Sequence, residues 1–414
     1  MKQYDSYKDS GVEWIGKIPS HWEVCAFKRK IVINNGRDYK EYLDDELYPV
    51  MGSGGCFAYC SKYLYDGEAV LLGRKGTIDK PLYINGKFWA VDTMFYATPL
   101  KSLHCKFAYY LALTFPFNYY STSTALPSMT QSDLGNNPVA IPPYLEQEVI
   151  ASYLDKKCGE IDKAIATQEK RVELLKELRQ NIITQAVTRG INPNAPLKDS
   201  GVEWIGEVPE HWDIKRIKHC TQIFGRIGFR GYTTQDLVLE GEGPITLSPS
   251  NMQGRMNYDS CTYLSWFKYN ESPEIQIHNG DVLFVKTGST YGKSAYVENL
   301  PMEATINPQI VVFKDFKDCN SKFFYYLLTT DIVQSQVDNT VIGSTIPTIG
   351  QEKIRNYVIP MPPLSEQEEI VSYIESQTAR LDASIEKAEH QIELLQELKQ
   401  SIITEVVTGK RKVC

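Results

Sequence analysis

The chain has 414 residues, enough for two or three separately buried cores, and its 42% hydrophobic content is that of an ordinary globular protein. A net charge of −7 argues against a protein that coats nucleic acid by charge alone. No apolar run approaches a membrane span, and the start MKQYDSYKDS has neither an apolar signal core nor a basic presequence, so the cytoplasm is the expected location.

Along the chain, one order of elements occurs twice. Residues 8–24, KDSGVEWIGKIPSHWEV, return at 198–214 as KDSGVEWIGEVPEHWDI, with 12 of 17 positions identical. A variable block (25–140) follows the first box, and inside it DGEAVLLGRKGTIDKPLYI (66–84) predicts two strands joined by a Gly-rich loop. KFAYYLALT (106–114) predicts a short amphipathic helix, and a strand should precede Pro142-Pro143. From Glu146 to Val187 there is no Pro and only one Gly, which predicts a helix of about 40 residues and roughly 60 Å. The linker RGINPNAPL then leads to the second box. A second block (215–360) matches the first faintly, through NGDVLFVKTGSTYGKSAYV (279–297) and KFFYYLLTT (322–330), and a second long helix opens after Pro362-Pro363. Four segments are expected on this reading: 1–143, 144–190, 191–363 and 364–414. The fold class is α+β, with two similar domains separated by a long antiparallel two-helix coiled coil of pseudo-two-fold symmetry.

The long helices carry apolar residues at heptad-like steps of three, four and seven. Leu154, Ile161, Ile165, Val172, Leu175 and Ile182 form one seam, and Ile374, Leu381, Ile385, Ile392, Leu395 and Ile402 form the other. The first helix delivers the chain directly into the second box, so a second helix pairing along it must run back. The first box is then expected beside the end of the second helix, which makes the arrangement quasi-circular.

Charge is unevenly placed. Segment 25–140 carries 12 Lys/Arg against 10 Asp/Glu and segment 215–360 carries 14 against 14, while 361–414 carries six against ten. Near-neutral blocks inside an acidic frame permit local contact with DNA, because affinity follows the phosphates neutralised locally. The Gly-rich loops supply suitable groups for phosphates and base edges: Arg74, Lys75, Thr77 and Lys80 in the first block, and Lys286, Thr287, Ser289, Tyr291 and Lys293 in the second. Ser123, Thr124, Ser128, Ser344, Thr345 and Thr348 add neutral donors.

Other chemistry finds little support. GSTYGKS (288–294) has three residues between its glycines where a phosphate loop needs four. Ile141-Pro142-Pro143-Tyr144 is similar to the catalytic tetrapeptide of amino-methyltransferases, but Ile stands where those enzymes need an amide or hydroxyl. Nine cysteines and six histidines show no zinc spacing, so no metal site and no catalytic residues are expected. His21 and His211 recur beside Trp22 and Trp212, where packing and capping are the simplest roles, and Trp14, Trp22, Trp204 and Trp212 read as structural anchors.

The repeated KDSGVEWIG-x-x-P-x-HW boxes, the PP-x-x-EQ-x-x-I helix openings (Glu146, Gln147, Ile150; Glu366, Gln367, Ile370) and the ELL…L…IIT endings resemble the specificity subunit of type I restriction–modification enzymes across essentially the whole chain. The resemblance implies two target recognition domains, each reading one half of a bipartite, asymmetric DNA site, with the helical rod setting the spacer. It implies two methyltransferase subunits docked on the rod, and restriction/translocase subunits joining them. S-adenosylmethionine, ATP and Mg would sit on those partners and no cofactor on this chain.

Overall fold

The structure is a computed structural model and describes residues 3–44, 47–120, 127–226, 228–253, 255–343 and 345–413. It forms two compact units, one of Met1–Lys170 with Ala388–Cys414, the other of Arg171–Lys387. The division falls inside both long helices rather than at the ends of the four expected segments, so each unit holds part of each long helix.

The first long helix runs from Tyr144 to Arg189, 46 residues, and the second from Leu364 to Val407, 44 residues. Each begins directly after its Pro-Pro pair, whose second carbonyl accepts the first helical amides (Glu146 N–H to Pro143 O, 2.9 Å; Glu366 N–H to Pro363 O, 3.0 Å). Each stops at a glycine in the left-handed region, Gly190 at φ +75° and Gly409 at φ +72°.

In the first unit, a seven-stranded mixed sheet has the order 31–35, 94–99, 65–73, 82–90, 48–52, 55–60, 43–44, with 48–52 parallel to 82–90 and the other pairs antiparallel. The helix Cys105–Ala112 packs on it through Phe107 and Leu111. The first box forms a hairpin, Tyr7–Asp9 against Lys17–Pro19, and its Ile18 and Trp22 share one core with Ile150 and Leu154 of the first long helix and Ile403, Val406 and Val407 of the second. Burying Trp22, 1% exposed, contributes about 4–6 kcal/mol of transfer free energy before entropy is counted. As the first helix advances from Ile150 to Asp162, the second retreats from Val407 to Lys399, whose Nζ lies 2.6 Å from the Asp162 carboxylate, so the two run antiparallel here.

The second unit repeats this plan with its sheet in two parts. One has the order 222–225, 310–314, 282–285, 294–296, and the other 237–238, 262–264, 245–247, 304–306. Again a single strand pair is parallel, 245–247 with 304–306. The second box pairs Leu197–Asp199 with Glu207–Pro209, and its Val208 and Trp212 join Ile183, Ala186 and Val187 of the first long helix and Ile370 and Ile374 of the second. Arg179 Nε meets Asp382 at 2.8 Å, again in antiparallel sense. Within each unit, then, the box meets the end of one long helix and the start of the other.

Of the seam residues, Leu154, Ile161, Val172, Ile374 and Ile385 are buried, while Ile165, Leu175, Ile182, Leu381, Ile392, Leu395 and Ile402 are half-buried. Cys158, Ile183, Thr378, Ala388 and Ile403 are buried beside them, and Leu174, Leu178, Leu394 and Leu398 stay exposed. The four tryptophans expected as anchors differ in burial. Trp22 and Trp212 are buried, whereas Trp14 and Trp204, in the hairpin turns, are 41% and 46% exposed, with the Trp14 ring 6.0 Å from that of Tyr119.

Candidate nucleic-acid interface

The repeated Glu-Gln pair at each helix opening explains how the variable blocks are held to the helices. Gln147 is 1% exposed; its side-chain oxygen accepts from His104 N–H (2.8 Å), and its amide nitrogen donates to the carbonyls of Ser102 (3.1 Å) and Pro142 (2.9 Å). Gln367 does the same in the second unit, accepting from Asn320 N–H (2.7 Å) and donating to Asp318 O (3.1 Å) and Pro362 O (2.8 Å). Glu146 accepts from Tyr4 Oη (2.6 Å), Trp22 Nε1 (3.2 Å) and His21 Nε2 (2.9 Å); Glu366 meets His211 Nε2 at 2.7 Å. Burial pushes the Glu146 carboxyl up, but the three bonds outweigh it and hold the group below its usual range. The histidines therefore fasten box to helix.

At the surface of the first unit, the Gly-rich loop is laced to two other segments through main-chain groups. Arg74 N–H donates to Thr93 O (2.9 Å), Gly76 N–H to Pro127 O (2.9 Å), and Met129 N–H to Arg74 O (3.0 Å). Position for position, the second unit repeats the lacing: Lys286 N–H to Gln309 O (2.8 Å), Gly288 N–H to Pro347 O (2.9 Å), Ile349 N–H to Lys286 O (2.8 Å). Lys75 bridges Ser128, and Thr287 bridges Thr348, by backbone pairing. Gly76 and Gly288 adopt φ of +82° and +103°, which the tight approach requires and other residues resist.

The lacing brings Arg74, Lys75 and Ser128 together in one unit, and Lys286, Thr287 and Thr348 together in the other. Thr77, Lys80 and Ser289 are exposed in the same loops, and Thr345 is exposed between the paired Ile342 and Thr348. Lys293 lies on the returning side of its turn, where its carbonyl accepts from Val285 N–H, and Tyr291 Oη reaches Asp338 at 3.4 Å. Ser123, Thr124 and Ser344 lie outside the described residues. The Arg74 guanidinium is held over the Phe95 ring, 5.8 Å from its centroid. Lys286 is half-buried, and loss of water lowers its pKa.

The loops at 91–93 and 307–309 were not foreseen, because neither is rich in Gly or basic residues. A Gly-Arg pair ending the first sheet strand was also missed, although it recurs at 36–37 and 225–226. Gly36 is needed where it stands, since a Cβ there would lie 1.9 Å from Val91 O. Arg37 is exposed, whereas Arg226 is buried, donating to Thr305 Oγ1 (3.0 Å) and Ile306 O (3.3 Å) and facing the Tyr232 ring. Among the described residues no cluster of three metal-ligating side chains occurs, and GSTYGKS leads into the short strand Ser294–Tyr296 rather than a helix.

The model of the type I restriction modification DNA specificity domain matches residues 19–177 and 233–394, one match to each repeat and most of the chain. The chain belongs to the type I restriction–modification DNA specificity family. Membership makes it a sequence-recognition subunit rather than one that modifies or cuts DNA. The type I restriction enzyme MjaVIII specificity subunit of Methanocaldococcus jannaschii is 22% identical, covering 96% of this chain and 94% of its own. The EcoDI specificity subunit of Escherichia coli is 21% identical over 95% and 90%. A chain solved in a study of complex assembly and conformational transition of the type I restriction–modification system shares the fold at a TM-score of 0.66 and 15% identity, covering 94% of this chain and 98% of that one. No helix among the described residues is long and apolar enough to cross a membrane.

Proposed function

We propose that each three-loop surface reads one half of a bipartite, asymmetric DNA site, and that the two long helices form a coiled-coil ruler that fixes the unread spacer. One observation carries this reading: the same main-chain lacing recurs in both units and presents different side chains, Arg74-Lys75-Ser128 in one and Lys286-Thr287-Thr348 in the other. Identical frames with unlike contents suit two unlike half-sites. The cationic and hydroxyl groups match phosphate oxygens and base edges. Support for the ruler comes from the uninterrupted length of both helices and their antiparallel sense within each unit.

Two methyltransferase subunits would dock on the helices, where the exposed Leu174, Leu178, Leu394 and Leu398 offer apolar surface at repeated positions, and restriction/translocase subunits would join them. S-adenosylmethionine, ATP and Mg would be held by those partners. The test is to co-express this chain with its methyltransferase partner and map methylated adenines genome-wide. A bipartite motif with a constant spacer is expected. Methylation without a motif, or at one continuous motif, overturns the proposal.

A further inference from the structure

The loop at 307–309 differs in kind from its counterpart at 91–93. Where the first unit has Val91-Asp92-Thr93, the second has Asn307-Pro308-Gln309. Gln309 lies directly across the ladder from Lys286, one step beyond the Val285–Ile310 pair, with Lys286 N–H bonded to its carbonyl. Its side chain is exposed and held in place. Asn307 Nδ2 donates to Gln309 Oε1 (3.1 Å), while Asn307 Oδ1 accepts from Gln309 N–H (3.0 Å). The Gln309 Nε2 lies over the Gly288 turn, so close that a Cβ at 288 would stand 3.1 Å from it. Among the described residues that Nε2 group donates to no partner, and no acidic group acts on the neighbouring Lys286 ammonium.

An amide that is oriented, exposed and left with free donor hydrogens has a distinctive use at a DNA-reading surface. The carboxamides of Gln and Asn pair bidentately with adenine, donating to N7 and accepting from the N6 amino group. Asn307 takes one lone pair of Gln309 Oε1 and leaves the other, so both halves of that pairing remain open.

We propose that Gln309 is a base-reading residue of the second unit, specific for adenine, with Asn307 and Gly288 as positioning residues that fix its amide. This rests on the DNA-reading role proposed above. In the first unit the matching place holds Thr93 behind an acidic Asp92, so the two surfaces read their half-sites by different chemistry.

The experiment maps methylated adenines with the assembled methyltransferase complex carrying Gln309→Ala, Asn307→Ala or Gly288→Ala. Gln309→Ala is expected to relax one position of the second half-site about tenfold or more, with the first half-site as an internal control of folding and assembly. Gly288→Ala should relax the same position, and Asn307→Ala should do so more weakly. Binding to a duplex carrying 7-deazaadenine at that position, which removes the N7 acceptor, gives the second readout. The wild-type complex should weaken about tenfold and the Gln309→Ala complex very little. An unchanged motif in Gln309→Ala, or equal sensitivity of both complexes to the 7-deaza base, overturns this inference while leaving the bipartite reading intact. Absence of a bipartite motif in the wild type removes that reading itself.

Discussion

Replacing Gln147 by Ala removes one acceptor bond and two donor bonds at a side chain only 1% exposed. The His104 N–H and the Ser102 and Pro142 carbonyls then remain inside without that partner. At about 0.5–1.5 kcal/mol net per bond the loss is roughly 1.5–4.5 kcal/mol, and we take about 3 kcal/mol as the expectation. For a unit of this size that lowers its melting temperature by about 6–12 °C. The assay is urea and thermal unfolding of the full chain, followed by fluorescence. Gln147→Glu should be worse than Gln147→Ala at neutral pH, because a buried carboxylate placed against two carbonyls has nothing to donate, and its penalty should ease as pH falls and the group protonates. A loss below about 1 kcal/mol for Gln147→Ala, or a Glu variant as stable as wild type at pH 7, would refute the account of this joint.

Glu146 is held below its unfolded value near 4.5, so its contribution is complete above that pH and disappears as pH drops through the lower folded value; the stability gap between wild type and Glu146→Gln, measured by chemical unfolding, should therefore close in acid. Gly409→Ala should cost more than Gly190→Ala: both enter the left-handed region, at about 1–2 kcal/mol, but a Cβ at 409 lies 2.3 Å from Pro19 Cδ, while at 190 the nearest atoms are 3.3 Å away, an order that paired melting curves will check. Inserting seven residues after Lys170 should lengthen the unread spacer and leave both half-sites unchanged in methylation maps. Lys80→Ala should impair recognition of one half only and Lys293→Ala the other, and equal damage to both halves in either variant would move that lysine to a structural role.

Periodicity and punctuation made much of the architecture readable. Pro142-Pro143 and Pro362-Pro363 marked both helix openings, and the box repeat placed Trp22 and Trp212 in equivalent cores. The helices run a few residues longer than the heptad pattern suggested, because Tyr144 and Leu364 follow the prolines without contributing to the seam. Trp14 looked equivalent to Trp22 in the sequence, since nothing local separates a partly exposed turn residue from a fully buried one. The surface proposed to read DNA was legible only in pieces. Gly-rich loops announced themselves, but their partners at Thr93 and Gln309 did not, since a main-chain bond formed across the sheet leaves no trace in the identity of the residues that make it.

A surface knotted by main-chain bonds can change its side chains over time. The loops are tied by N–H and C=O groups common to nearly every amino acid, while Gly76 in the first unit and Gly288, Gly292 and Gly343 in the second are fixed by backbone angle. Side chains at the contact face can be exchanged without loosening the knots beneath them. If these loops read DNA as proposed, new sequence preference is accessible by substitution alone, with the stability of the underlying unit carried by Gln147, Gln367 and the buried tryptophans, at a different place in the fold.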